Sequence, residues 1–105
     1  MIMKKYIRDR YVRERGSRAR IIDLFCVNCK TRLLVYQKDG PGDLVRCYLN
    51  RIIDPVSFLP DQDLKCSSCV KVVATPMIYS DGRPALRLRQ QLVYRRNSEF
   101  DKEYE

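Results

Sequence analysis

DLFCVNC at residues 23–29 and DLKCSSC at residues 63–69 share the pattern Asp-Leu-x-Cys-x2-Cys at an offset of 40 residues. In a Cys-x2-Cys turn the two thiols project to the same side of a tight loop, near enough to occupy two corners of a tetrahedron. Two such turns from distant parts of a chain close an all-cysteine site, with sulfur at about 2.3 Å from zinc and no position open to water or substrate. Cys26, Cys29, Cys66 and Cys69 are therefore the expected zinc ligands, and the expected role of the metal is structural. A tetrahedral sulfur site also accepts iron, so donor type alone leaves both metals open. Four thiolates around a divalent ion leave two net negative charges. Turn amides, together with Lys30, Lys65 and Lys71, are the candidates to balance them.

The surroundings of the two pairs favour metal over disulfide or redox chemistry. The start, MIMKKYIRDR, is basic with no apolar run behind it, and no stretch approaches the eighteen or so apolar residues of a membrane span. Neither a secretory signal nor a membrane anchor is expected, so the cytoplasm is the expected location. In a reducing compartment paired cysteines serve metals more often than disulfides. A thioredoxin-like dithiol needs its first cysteine at a helix N-terminus, whereas Val70, Val72 and Val73 after the second pair favour a strand. The chain has no His, which excludes a mixed Cys/His site. The fifth cysteine, Cys47 in LVRCYL, reads as a small buried apolar residue on a strand face shared with Val45 and Leu49.

Each pair is followed by strand-like sequence. Leu33 to Gln37, the turn residues DGPGD at 39–43, and Leu44 to Leu49 read as one hairpin. Val70 to Ala74, an interruption at Pro76, the Asp81-Gly82 turn, and Ala85 to Leu92 read as a second. Arg87 and Arg89 alternate with Leu86 and Leu88, which places the arginines on one strand face. Residues 50–63 form a connection apolar enough, with Ile52, Ile53, Val56, Phe58 and Leu59, to pack down on the core. The N-terminal arm is the one place for a helix of any length, ended by Gly16-Ser17, and its sequence equally suits a disordered arm that orders on a partner. With 105 residues, no Trp and three Phe, the chain is expected to form one small metal-stapled core. A basic arm at 1–20, a metal-bearing domain at 21–96 and an acidic tail at 97–105 complete the layout.

Two Cys-x2-Cys turns, CVNC and CSSC, each followed by a β-hairpin, resemble the zinc-ribbon and rubredoxin-like class of metal-bound β domains over residues 23–92. The resemblance implies a mainly β fold. Members of that class serve in transcription, translation and ribosome-associated proteins or dock within larger complexes, and rubredoxins carry electrons on iron. The class commonly has Gly directly after each second cysteine, where this chain has Lys30 and Val70. Because a β-branched residue is costly at positive φ, a different turn is expected at Val70.

The formal charge is +8, and it is unevenly spread. Residues 1–20 hold eight Lys or Arg against Asp9 and Glu14, a net +6; residues 21–96 carry +5, and residues 97–105 carry −3. The expected function is a non-catalytic binding module that meets nucleic acid or a ribonucleoprotein through Arg8, Arg10, Arg13, Arg15, Arg18 and Arg20 of the arm and Arg87 and Arg89 of the strand. Arginine forks suit phosphate oxygens, and Tyr6 and Tyr11 among them suit exposed bases. The same arm also suits self-pairing with the acidic tail SEFDKEYE. A protein-protein adaptor is the alternative, with Val56, Phe58 and Leu59 as its patch; a rubredoxin-like iron electron carrier is another. With no His, no nucleophile motif and a filled metal site, neither a catalytic residue nor a small-molecule substrate is expected.

Overall fold

Short runs of alternating apolar residues dominate the sequence, and they form strands. The computed structural model describes residues 4–14, 18–55 and 61–105 and is mainly β, with one short α-helix, Arg10–Glu14. In chain order the strands are β1 (Ala19–Cys26), β2 (Arg32–Asp39), β3 (Arg46–Tyr48), β4 (Ile52–Asp54), β5 (Leu64–Lys65), β6 (Val72–Ile78), β7 (Pro84–Leu88) and β8 (Val93–Asn97). They make two antiparallel four-stranded sheets, ordered β4-β2-β1-β8 and β3-β7-β6-β5. Ile22, Leu24, Leu34 and Tyr36 of the first sheet share one buried cluster with Cys47, Val73, Leu86 and Leu88 of the second, so the two sheets face each other across the core. Each fully buried Leu or Ile there contributes roughly 1.5–3 kcal/mol relative to exposure.

The second expected hairpin forms: β6 and β7 pair from Ala74↔Leu88 to Ile78↔Pro84, closed by a turn in which Gly82 takes φ 91°. Pro76 does not interrupt it. Because β5 is two residues long and pairs no further than Ala74, β6 is an edge beyond that point, where a missing amide hydrogen is tolerated. The first expected hairpin does not form. After β2 the chain turns through Gly40 (φ 74°) and Gly42 (φ 103°), but β3 crosses to the other sheet and pairs with β7 through Cys47↔Leu86. The partner of β2 on that side is instead β4, through Tyr36↔Ile52. Cys47 is fully buried, as expected, but Val45 lies outside the strand and is exposed. Burial pushes the Cys47 thiol well above its ordinary range. Ile52 packs into the core from β4; Val56, Phe58 and Leu59 lie outside the described residues.

The arm is not a long helix. Residues 4–9 run extended and, with the chain's end, form a layer over the outer face of the first sheet. Lys4 donates its amide to the Glu103 carbonyl (2.9 Å), the Glu105 amide donates to Lys4 (2.9 Å), and Tyr6 donates its amide to Glu105 (3.1 Å). The Tyr6 hydroxyl donates to Asp101, whose carboxylate also accepts the Ile21 amide at 2.8 Å. The Gln37 side chain exchanges two 2.8 Å hydrogen bonds with the backbone of Ile7. These contacts explain why Ile21, Val35 and Gln37, which point away from the core, are all about as buried as the core itself. Arg51, 1% exposed, fixes the arm most firmly: its guanidinium donates to Asp9 (2.7 Å) and to Asp39 on β2 (2.9 Å). Further on, Tyr11 reaches the second sheet, where the Arg83 guanidinium is sandwiched between its ring (3.5 Å) and that of Tyr48 (3.6 Å).

Candidate metal centre

The two cysteine pairs sit at equivalent places, one per sheet. Cys26 and Cys29 lie in the turn from β1 to β2, and Cys66 and Cys69 in the turn from β5 to β6. The short sequence repeat turns out to be a repeat of backbone as well. The Cys26 amide donates to the Thr31 carbonyl (2.9 Å) and the Lys30 amide to the Cys26 carbonyl (2.8 Å); the Cys66 amide donates to Lys71 (2.9 Å) and the Val70 amide to Cys66 (3.0 Å). In the ladders, Leu24↔Leu34 and Phe25↔Arg32 of the first unit match Leu64↔Ala74 and Lys65↔Val72 of the second, with a register shift at the same rung of each. Lys30 and Val70 take φ of 64° and 63°. The expectation of a different turn at Val70 is thus overturned. The turn requires the left-handed region there, and its hydrogen bonds hold even a β-branched residue in it.

This shared turn geometry brings four sulfurs together: Sγ of Cys26, Cys29, Cys66 and Cys69 all lie within 4.8 Å of one another. Cys26 and Cys69 are 3.7 Å apart and Cys29 and Cys66 3.2 Å. A tetrahedron with metal–sulfur bonds of 2.3 Å has an edge of about 3.8 Å. The first contact matches that edge, and the second is tighter. None of the four is in a disulfide. Cys26 and Cys66 are buried, while Cys29 and Cys69 are partly exposed. Four soft donors converging from two rigid turns fit a single metal ion of the zinc or iron type. The residues do not distinguish the two metals.

Charge on the sulfurs is balanced by backbone more than by lysine. The hydrogen bond between the Cys29 sulfur and the Thr31 hydroxyl, then those with Cys66 and the Thr31 amide, bring the Cys29 thiol down to about 6. The Lys71 amide does the corresponding work at Cys69 and lowers it too. At Cys26 the Cys29 and Asn28 amides favour the thiolate, but burial and the adjacent sulfurs outweigh them and the net shift is upward. Thr31 Oγ1 also lies 3.0 Å from Ser68 Oγ, so a hydroxyl pair joins the two turns beside the sulfurs. Sequence reading named neither hydroxyl, because their proximity arises only when the turns meet. Of the lysines it did name, Lys30 lies exposed, with its ammonium 5.3 Å from the Tyr94 ring centroid, and Lys65 and Lys71 are exposed.

The arginines singled out in the sequence do not gather in one place. Arg8, Arg10 and Arg13 are exposed on the arm, with Arg8 5.8 Å from the Tyr6 ring and Arg10 donating to the Tyr11 hydroxyl at 2.9 Å. Arg15 lies outside the described residues. Arg87 is exposed on the outer face of the second sheet, in register with Arg46, and Arg89 is exposed just past the strand end. Arg18 and Arg20 line a groove at the far end of the first sheet together with Lys38, Arg95 and Arg96, three cations the sequence reading did not select. No described helix is long and apolar enough to cross a membrane. Comparison with models of protein families, with curated proteins and with solved structures gives no match to the chain.

Proposed function

We propose that the protein is a small zinc-stabilised, non-catalytic binding module of zinc-ribbon type that contacts nucleic acid or a ribonucleoprotein through a basic surface. The observation that carries the metal half of this reading is the convergence of four sulfurs, from turns 40 residues apart, within 4.8 Å. Four protein ligands fill a tetrahedral ion, so the metal would tie the sheets together and leave no position for substrate. The partner half is supported by the net charge of +8 and by the exposure of every described arginine named for it. The test is elemental analysis of the purified protein, together with absorbance and nuclease treatment of whatever copurifies. One equivalent of zinc in colourless protein, with nucleic acid released by nuclease, is the expected result. Red protein containing iron would replace this reading with a rubredoxin-like electron carrier, and a copurifying partner that resists nuclease would replace it with a protein adaptor.

A further inference from the structure

The inward-facing side of the first sheet changes character along its length. Leu24, Leu34 and Val93 face the core; on the same strand faces Arg20 and Lys38 pair with each other at the end away from the cysteines, and Arg95 lies level with Leu24 on the edge strand β8. Together Arg20, Lys38 and Arg95 border a groove of about 520 Å³ that is also lined by Arg18, Arg96 and Gly42, with no carboxylate among the described residues that line it. Lys38, only 6% exposed, donates to the Gly40 carbonyl at 2.6 Å, and Arg95 donates to the Gly42 carbonyl at 3.1 Å, so the 40–42 turn holds two of the cations in place. Among the described residues the ion pairs engage Lys4, Arg32, Arg51 and Arg83, and none engages Arg18, Arg20, Arg95 or Arg96. Four arginines outside those ion pairs, grouped along one groove, focus a positive potential there.

On the opposite face of the same two strands, Phe25 and Tyr94 stack with centroids 5.2 Å apart at 18°. Arg96 connects the two features: it borders the groove at the β8 edge, while in the ladder it stands across from Asp23 on the Tyr94 face, its guanidinium 5.8 Å from the Tyr94 ring. A cationic track beside partly exposed aromatic rings is the combination that holds single strands, because rings stack on any unpaired base and a duplex keeps its bases inside. Four of the five cations are arginines, whose planar forks match phosphate oxygens.

We propose that this end of the first sheet binds single-stranded nucleic acid, with the phosphate chain in the groove of Arg18, Arg20, Lys38, Arg95 and Arg96 and a base against Tyr94. This rests on the reading of the protein as a nucleic-acid-binding module and moves the contact from the arm and β7 to β1, β2 and β8. The experiment is fluorescence anisotropy of the full metal-loaded chain with a labelled 20-nucleotide single strand, a duplex of the same length, and polyphosphate. The single strand is expected to bind tightest. Arg95→Glu with Arg96→Glu should weaken it at least tenfold, while Lys65→Glu with Lys102→Glu, an equal charge change outside the groove, should change it less than threefold. Arg95→Gln with Arg96→Gln, the milder pair should the reversal disturb folding, should lower the salt slope by about 1.4, the value for two lost contacts to a single strand. Tyr94→Ala should narrow the gap between single strand and duplex. Binding that survives both Arg95/Arg96 pairs but is lost in Arg87→Glu with Arg89→Glu would overturn the site and leave the module reading standing. Equal affinity for duplex or polyphosphate, with no effect of Tyr94→Ala, would overturn the single-strand assignment. No binding to any nucleic acid by the unaltered chain would overturn the module reading itself.

Discussion

The unit around Cys26 and Cys29 and the unit around Cys66 and Cys69 share a turn, a register shift and a positive φ, yet their strands live in different environments. β2 is buried on both faces from Leu34 to Lys38, whereas β6 is buried only at Val73 and Ala74 and ends with Ile78 66% exposed. The difference comes from the arm and the chain's end, which cover the outer face of the first sheet. Likeness between the units is therefore confined to the surroundings of the sulfurs: two cysteines, the amides that face them and the first rungs of each ladder. Beyond those rungs each unit is shaped by its neighbours.

The largest effect should fall on both units equally. Cys26→Ser and Cys66→Ser should each unfold the chain, since the metal in small sites contributes on the order of 10 kcal/mol of apparent folding free energy; circular dichroism and metal content check this. Unfolding by one substitution only would mean that the units do not share an ion. Arg51→Ala should act on the first unit alone. It leaves Asp9 and Asp39 without their buried partner, so about 3–5 kcal/mol should be lost, and amide exchange should quicken at Tyr6 and Ile7. Unchanged exchange there would show that the covering layer is held in some other way. Cys47→Ser, on the strand that joins the second sheet from the first half, should cost about 1–3 kcal/mol for burying a hydroxyl, read from the thermal midpoint. The smallest effect should be a gain. Val70→Gly relieves a β-branched residue at φ 63° and, after the added flexibility of the unfolded chain, should stabilise by about 0.5–1 kcal/mol. Lys30→Gly should gain less, because Lys30 is not branched. A loss at Val70 would mean that its side chain is held by contacts that outweigh the strain.

The cluster of four cysteines was legible in the sequence because a Cys-x2-Cys spacing fixes local geometry whatever lies around it. The β6–β7 hairpin was legible for a similar reason, since Asp81-Gly82 is a local signal. The pairing of β3 was not. The Gly40 and Gly42 turn reverses the chain, but which sheet receives Cys47 depends on Leu86, nearly forty residues later. The groove was hidden too: two consecutive arginines, Arg95 and Arg96, break the alternation that made Arg87 conspicuous, and Lys38 reads as the end of an apolar strand. Val70 was misjudged because intrinsic cost was weighed without the hydrogen bond from its own amide to Cys66, which only the closed turn provides.

The exchange of outer strands between the sheets has a consequence for how the chain can be divided. β3, from the first half, completes the second sheet, and β8, from the second half, completes the first. A cut between β4 and β5 would give two fragments, each carrying one cysteine pair and each missing an edge that only the other supplies. Such fragments have a reason to find one another in solution, and the metal would then report their reunion by complementation.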